Sequence, residues 1–114
     1  MTRILLTEDD EDVRELVQDC LLDEGYEVEA TDTVAGALSL LDRGPYDLAL
    51  TDGRLPDGTG LTVAEQATQR GIKVLIFTGY AHEFPPDQLA RYTVVMKPSS
   101  MSDLIEVVGR LIRG

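Results

Sequence analysis

A chain of 114 residues with 10 Lys+Arg against 21 Asp+Glu carries a net charge of −11. That surface repels nucleic-acid phosphates, whose binding depends on basic side chains displacing counterions, and favours basic partners or divalent cations. A lone cysteine, Cys20, excludes an internal disulfide framework and fits a reducing compartment.

The length suits one domain, expected over residues 1–114, with a core that needs no staples. The apolar runs are too short to cross a bilayer. Glu8 and Asp9 interrupt the N-terminal stretch where a signal peptide would stay apolar. A cytoplasmic protein without membrane or nucleic-acid partners is expected.

Arg3 to Thr7 reads as a buried strand and Asp10 to Glu24 as a helix. Val13, Leu16, Val17, Cys20 and Leu21 follow the i, i+3, i+4 spacing of an inward face, with Asp9 or Asp10 as cap and Gly25 as stop. Cys20 on that face is a packing residue. Tyr26 to Ala30 alternates like an edge strand. Thr33 to Asp42 forms a second helix, turning Val34, Ala37, Leu38 and Leu41 inward before Gly44-Pro45. Asp47 to Thr51 is a third strand. The loop Gly53 to Gly60 is rich in turn formers, and Leu61 to Arg70 is a helix ended by Gly71.

Lys73 to Thr78 is the most hydrophobic strand, expected at the sheet centre. After it, Pro85-Pro86 leaves room for barely one helical turn, Asp87 to Tyr92. His82, with no second nitrogen or sulfur ligand nearby, reads as a loop residue. Thr93 to Met96 is the fifth strand. Ser102 to Arg113 is the last helix, with Ser102 as cap and Leu104, Ile105, Val108, Leu111 and Ile112 inward.

Five strand–helix alternations with long connections predict an α/β fold, a doubly wound parallel sheet with helices on both faces and a short or irregular fourth helix. Ligands of such sheets bind beyond the carboxyl ends of the strands. Glu8, Asp9, Asp52, Thr78 and Lys97 all stand at those ends, so the architecture gathers them.

Carboxylates brought together repel and raise one another's pKa, a penalty that a bound cation removes. Magnesium, Mg²⁺, takes oxygen ligands and keeps several waters, which leaves positions for a phosphoryl group. Asp9 and Asp52 suit direct coordination, Glu8 coordination through water, and the Arg54 backbone carbonyl a third protein ligand. Asp52 is also the best nucleophile, since an aspartate carboxylate can accept phosphate directly. Such transfer needs mainly alignment and neutralisation of the equatorial oxygens. Lys97 can supply a point charge to one oxygen and the Thr78 hydroxyl a hydrogen bond to another. Pro98 fixes the chain direction after Lys97, and that bond could be cis.

Ile4-Leu5-Leu6-Thr7-Glu8-Asp9-Asp10, Asp47 to Gly60 with Asp52 at its centre, Phe77-Thr78-Gly79-Tyr80 and Met96-Lys97-Pro98 resemble the receiver domain of two-component response regulators. The resemblance runs from Arg3 to about Leu111, and Thr78-Gly79-Tyr80 is similar to that of some stand-alone receivers. It implies a flavodoxin-like strand order 2-1-3-4-5. It also implies Mg²⁺-dependent phosphorylation of Asp52 by a histidine kinase or histidine phosphotransfer protein, and self-dephosphorylation. Such a domain is a phosphoacceptor that switches affinity for a protein partner. Arg54 and Tyr80, flanking the acceptor, are expected to tune hydrolysis.

The chain departs from that family where receivers commonly carry Tyr or Phe three residues before the lysine: Val94 stands there. Tyr92 shares its face but lies about 7 Å further along the strand, and reads as structural. Ser99 replaces a frequent Phe. Val94 leaves room for an alternative, a degenerate receiver acting by contact without phosphorylation. A small-molecule aspartyl phosphatase is disfavoured, because Arg54 stands where its general acid would be and no cap domain fits. A flavodoxin-type flavin binder is disfavoured because the acids after the first strand would repel its phosphate.

Overall fold

The computed structural model describes residues 1–114. Five strands form one parallel sheet: β1 (Arg3–Thr7), β2 (Glu27–Thr31), β3 (Leu48–Thr51), β4 (Lys73–Thr78) and β5 (Thr93–Met96). Their spatial order is β2-β1-β3-β4-β5, the flavodoxin-like order that the family resemblance implies. The middle place belongs to β3, the shorter strand Leu48–Thr51. The more hydrophobic β4 lies between β3 and the edge strand β5, one place off the expected centre.

Five helices connect and cover these strands: α1 (Glu11–Asp23), α2 (Val34–Arg43), α3 (Gly60–Gln69), α4 (Pro86–Leu89) and α5 (Met101–Arg113). Side chains alternate across the sheet, so each strand feeds two cores. Leu5, Ala49, Val74 and Ile76 pack with Val34, Ala37 and Leu41 of α2 and Val63, Ala64 and Ala67 of α3. Ile4, Leu6, Leu48, Leu50, Leu75 and Phe77 pack with Val17 and Leu21 of α1 and Leu104 and Val108 of α5. Strands buried on both faces read as continuous apolar runs, which is why they were visible in the sequence.

Helix ends follow local chemistry. Asp10 caps α1, its Oδ1 accepting the N–H groups of Asp12 at 3.0 Å and Val13 at 3.1 Å. Beyond the other end, Gly25 takes φ +90°, a conformation natural to glycine. Thr33 caps α2 through Gly36 N–H at 2.9 Å.

Two expectations about the helices fail. Ser100, not Ser102, caps α5 by accepting the Asp103 N–H at 3.1 Å, so the helix begins one residue earlier, at Met101. Leu16 is not inward but 51% exposed, because only the stripe through Val17 and Leu21 meets the sheet. The one-turn helix expected at Asp87 to Tyr92 spans Pro86–Leu89, with Pro86 in its first turn. His82 sits exposed in a 3-10 turn, Ala81–Glu83. The loop after β3 folds into a small antiparallel ladder in which Arg54–Leu55 pairs with Gly58–Thr59.

No helix is long and apolar enough to cross a membrane.

Candidate functional site

The site is assembled by residues one step beyond the strands, still in the ladder. Glu8 N–H donates to Thr31 O at 3.0 Å, Asp52 N–H to Thr7 O at 2.8 Å, and Lys97 N–H to Thr78 O at 2.9 Å. Because strand side chains alternate, Glu8, Asp52 and Lys97 follow Leu6, Leu50 and Val95 onto the face covered by α1 and α5. The register Thr7↔Thr51 puts the first two on adjacent strands.

The result is an open cavity of about 660 Å³ lined by Glu8, Asp9, Asp10, Asp52, Arg54, Tyr80 and Lys97, with Val13, Leu55 and Pro56. Carboxylate oxygens of Glu8, Asp9 and Asp52 all lie within 4.8 Å of one another. Glu8 and Asp52 are buried and Asp9 faces solvent. Lys97 Nζ is 2.7 Å from Glu8 Oε1 and 3.2 Å from Asp52 Oδ2. Asp10 N–H donates to the other Glu8 oxygen at 3.2 Å, and Arg14 Nη1 donates to the Glu8 carbonyl at 3.0 Å.

One ammonium cannot neutralise two buried carboxylates. Burial, followed by the hydrogen bond to Asp52, pushes Glu8 up to about 7, against the pull of Lys97. Burial alone would lower the Lys97 ammonium, but the hydrogen bond and charge of Glu8, with Asp52, raise it. The cluster offers only carboxylate oxygens, the donor set of a hard divalent cation, and no imidazole or thiolate.

Arg54 N–H points to Asp52 Oδ1 at 3.4 Å, which keeps its peptide at the cavity floor. Its guanidinium lies over the Tyr80 ring, 4.3 Å from the centroid, and 3.6 Å from Glu83 Oε2. Thr78 stands apart from the lining residues. It is fully buried, and its Oγ1 accepts the Tyr80 N–H at 3.1 Å. The Lys97-Pro98 bond is cis. Val94 and Tyr92 are half-buried against the α2/α3-side core.

Several residues that shape the site escape sequence reading. A Cβ on Gly60 would lie 1.9 Å from the Asp52 carbonyl oxygen, so only glycine lets α3 start there. Gly53 is covered by the buried Phe84 ring, whose Cε2 would be 2.9 Å from a Cβ. An isolated aromatic before Pro85-Pro86 is the one signal that could have identified Phe84. Asp57 caps α2 in trans, its two oxygens accepting from Val34 N at 2.8 Å and Ala35 N at 3.0 Å. These bonds hold the Asp57 carboxyl below its ordinary range.

Comparison with known proteins agrees with this geometry. The chain is 34% identical over 117 residues to the response regulator receiver protein CpdR of Brucella abortus, covering 98% of each. It superposes on the response regulator TrrA of Thermotoga maritima, solved in complex with Mg²⁺-BeF, with a TM-score of 0.87 and 31% identity over 97% of this chain and 99% of that one. A second TrrA structure, in complex with the histidine kinase ThkA, gives a TM-score of 0.85 at 31% identity over 97% and 98% of the two chains. Residues 4–109 match the response regulator receiver domain as a family. With Glu8, Asp9, Asp52 and Lys97 meeting at the sheet end, and with residues 4–109 matching the family, the chain belongs to the receiver domain family of two-component response regulators.

Proposed function

We propose that Asp52 accepts a phosphoryl group from a histidine kinase or histidine phosphotransfer protein, in a magnesium-dependent step, and that the modification switches affinity for a protein partner. One observation carries this reading: Asp52 shares a cavity with Glu8 and Asp9, and Lys97 Nζ, 3.2 Å away, lies in the same cavity. The solved TrrA structures, one with Mg²⁺-BeF and one with a histidine kinase, add support by similarity.

Asp52 and Asp9 would hold Mg²⁺ directly, with the Arg54 carbonyl as a third protein ligand and Glu8 contributing through water. Bound there, the ion would supply positive charge to phosphoryl oxygens. An Asp52 oxygen attacks phosphorus, the bond from phosphorus to the donor nitrogen breaks, and the electron pair returns to the donor imidazole. Lys97 turns from Glu8 towards a phosphoryl oxygen. Thr78 Oγ1, already accepting from Tyr80 N–H, keeps its own proton to donate to another oxygen. Hydrolysis later restores the Asp52 carboxylate. Arg54 and Tyr80 at the cavity mouth modulate that rate. The chain is thus a signalling phosphoacceptor, acting only on its own phosphorylation state.

The test is incubation with acetyl phosphate and Mg²⁺, then with purified kinases. Radiolabel should enter wild type and be lost in Asp52→Asn with the fold intact; labelled Asp52→Asn would move the acceptor elsewhere. Val94, packed where an aromatic is usual, favours a second reading: a degenerate receiver that works by contact alone. A beryllofluoride titration without any spectral change would select that reading.

A further inference from the structure

Arg54 is a cation beside three acids, yet it forms no ion pair with Glu8, Asp9 or Asp52; its guanidinium pairs with Glu83 at 3.6 Å. The same guanidinium stacks on Tyr80. Both holders belong to one turn, closed by the Glu83 N–H donating to the Tyr80 carbonyl at 2.9 Å. That turn is anchored next to the acceptor, because the ring of Phe84 covers Gly53, the residue before Arg54. The position of the guanidinium is therefore set from outside the acid cluster.

We propose that Glu83 is a positioning residue that holds Arg54 off the acceptor and thereby sets the lifetime of the phosphorylated form. This rests on the phosphoacceptor reading of Asp52. The Arg54–Glu83 pair is exposed on both sides (55% and 44%), and such pairs are weak. A phosphoryl dianion on Asp52 competes for the same guanidinium, with the planar donor geometry that suits it. Arg54 is then divided between Glu83 and the phosphoryl oxygens.

Hydrolysis needs a water oxygen to reach phosphorus opposite the Asp52 oxygen. A new P–O bond forms, the bond to the Asp52 oxygen breaks, and its electron pair returns to the carboxylate. Inorganic phosphate leaves, and the surplus water proton goes to phosphate or solvent. A guanidinium lying across the solvent side of the phosphoryl group obstructs that approach. Glu83, by drawing Arg54 away, keeps the approach open.

The experiment follows decay of radiolabel introduced by acetyl phosphate with Mg²⁺ in wild type, Glu83→Gln, Glu83→Asp, Arg54→Ala and the Arg54→Ala/Glu83→Gln double variant. Glu83→Gln should lengthen the lifetime roughly 1.5- to fivefold, the bias that one exposed ion pair can exert. Glu83→Asp should restore it towards wild type. Arg54→Ala should shorten it, and in that background Glu83→Gln should have no further effect. Mg²⁺ affinity and unfolding midpoint should stay constant across the Glu83 variants, which separates positioning from a structural role. A Glu83→Gln lifetime that is unchanged or shorter overturns the proposal, as does lengthening that persists without Arg54. Wild type that takes no label removes the reading of Asp52 itself; normal labelling with unmoved lifetimes removes only the role of Glu83.

Discussion

Lys97 sits closer to Glu8 than to Asp52: its Nζ is 2.7 Å from the Glu8 carboxylate and 3.2 Å from that of Asp52. In the free protein the ammonium thus occupies the charge that a divalent cation would otherwise meet. Under the proposed function, a cation held by the acids would free Lys97 from Glu8 to meet a phosphoryl oxygen.

Lys97→Ala should therefore keep Mg²⁺ binding and tighten it by roughly three- to tenfold, since a competing cation is removed, about 1 kcal/mol. Phosphate-dependent conformational change should be lost. Without metal the variant should lose about 1–3 kcal/mol of stability, because two buried carboxylates lose their partner. Calorimetric titration with Mg²⁺ and denaturant unfolding in EDTA measure both. Weaker Mg²⁺ binding would mean that Lys97 helps to organise the cation site.

Glu8 makes stability depend on pH with an unusual sign. Its carboxyl titrates near 7 in the fold, raised from 4.5, with burial as the main cause and Asp52 next. Between those values the folded chain holds more protons than the unfolded one. Stability therefore falls as pH rises from 4.5 to about 7, by at most about 1.4 kcal/mol per pH unit. Saturating Mg²⁺, which needs the carboxylate ionised, should flatten that slope, and Glu8→Gln should flatten it without metal. Urea midpoints across this range, in EDTA and in Mg²⁺, check the sign. Stability rising with pH in EDTA would show Glu8 ionised throughout, with Lys97 dominating burial.

Asp57 ties the loop after β3 to the start of α2 through Val34 N and Ala35 N. Its carboxyl is held low by those bonds, so its contribution is present above the ordinary value of 3.8 and is lost as pH falls through its lower folded value. Asp57→Asn should lower stability at neutral pH and remove part of the acid-side loss. Amide exchange should accelerate at Val34 and Ala35 first. Exchange unchanged at both amides would mean that another group caps α2.

The fold was legible because β1, β3 and β4 are buried on both faces, so Ile4-Leu5-Leu6 and Val74 to Phe77 read as strands without any partner in view. Glu8 and Asp52 were legible for a related reason, since each directly follows such a run, whereas Lys97 follows the half-buried edge strand β5. What stayed hidden depends on contacts across the chain. The Lys97–Glu8 pair spans 89 positions, and nothing local to either residue signals it. The pairing of Arg54 with Glu83 is likewise hidden until the turn at Tyr80 is folded beside it. At α5, Ser99, Ser100 and Ser102 all have cap chemistry, and the approach of the chain from β5 selects Ser100. Leu16 fits helical spacing yet faces water, because the buried stripe of α1 runs through Val17 and Leu21.

Gly60 offers the sharpest separation of site geometry from global stability. A methyl group there would meet the Asp52 carbonyl oxygen at 1.9 Å and its carbon at 3.0 Å, both backbone atoms that no rotamer change can move. The loop from Gly53 to Thr59 is closed by Gly60 N–H donating to Gly53 O at 2.9 Å, so relief must displace the peptides around Arg54. Gly60→Ala should cost about 1–3 kcal/mol or slightly more, as overpacking does, and weaken Mg²⁺ binding by roughly tenfold or more through the shifted acceptor loop. Gly71→Ala is the matched control. Gly71 has φ +73° but open space around its Cβ position, so its substitution should cost about 1–2 kcal/mol of backbone strain and leave Mg²⁺ affinity untouched. Unfolding midpoints and Mg²⁺ titrations of the two variants should therefore diverge. Equal effects on Mg²⁺ binding would show that the cation site follows overall stability and not the close approach of α3 to the acceptor strand.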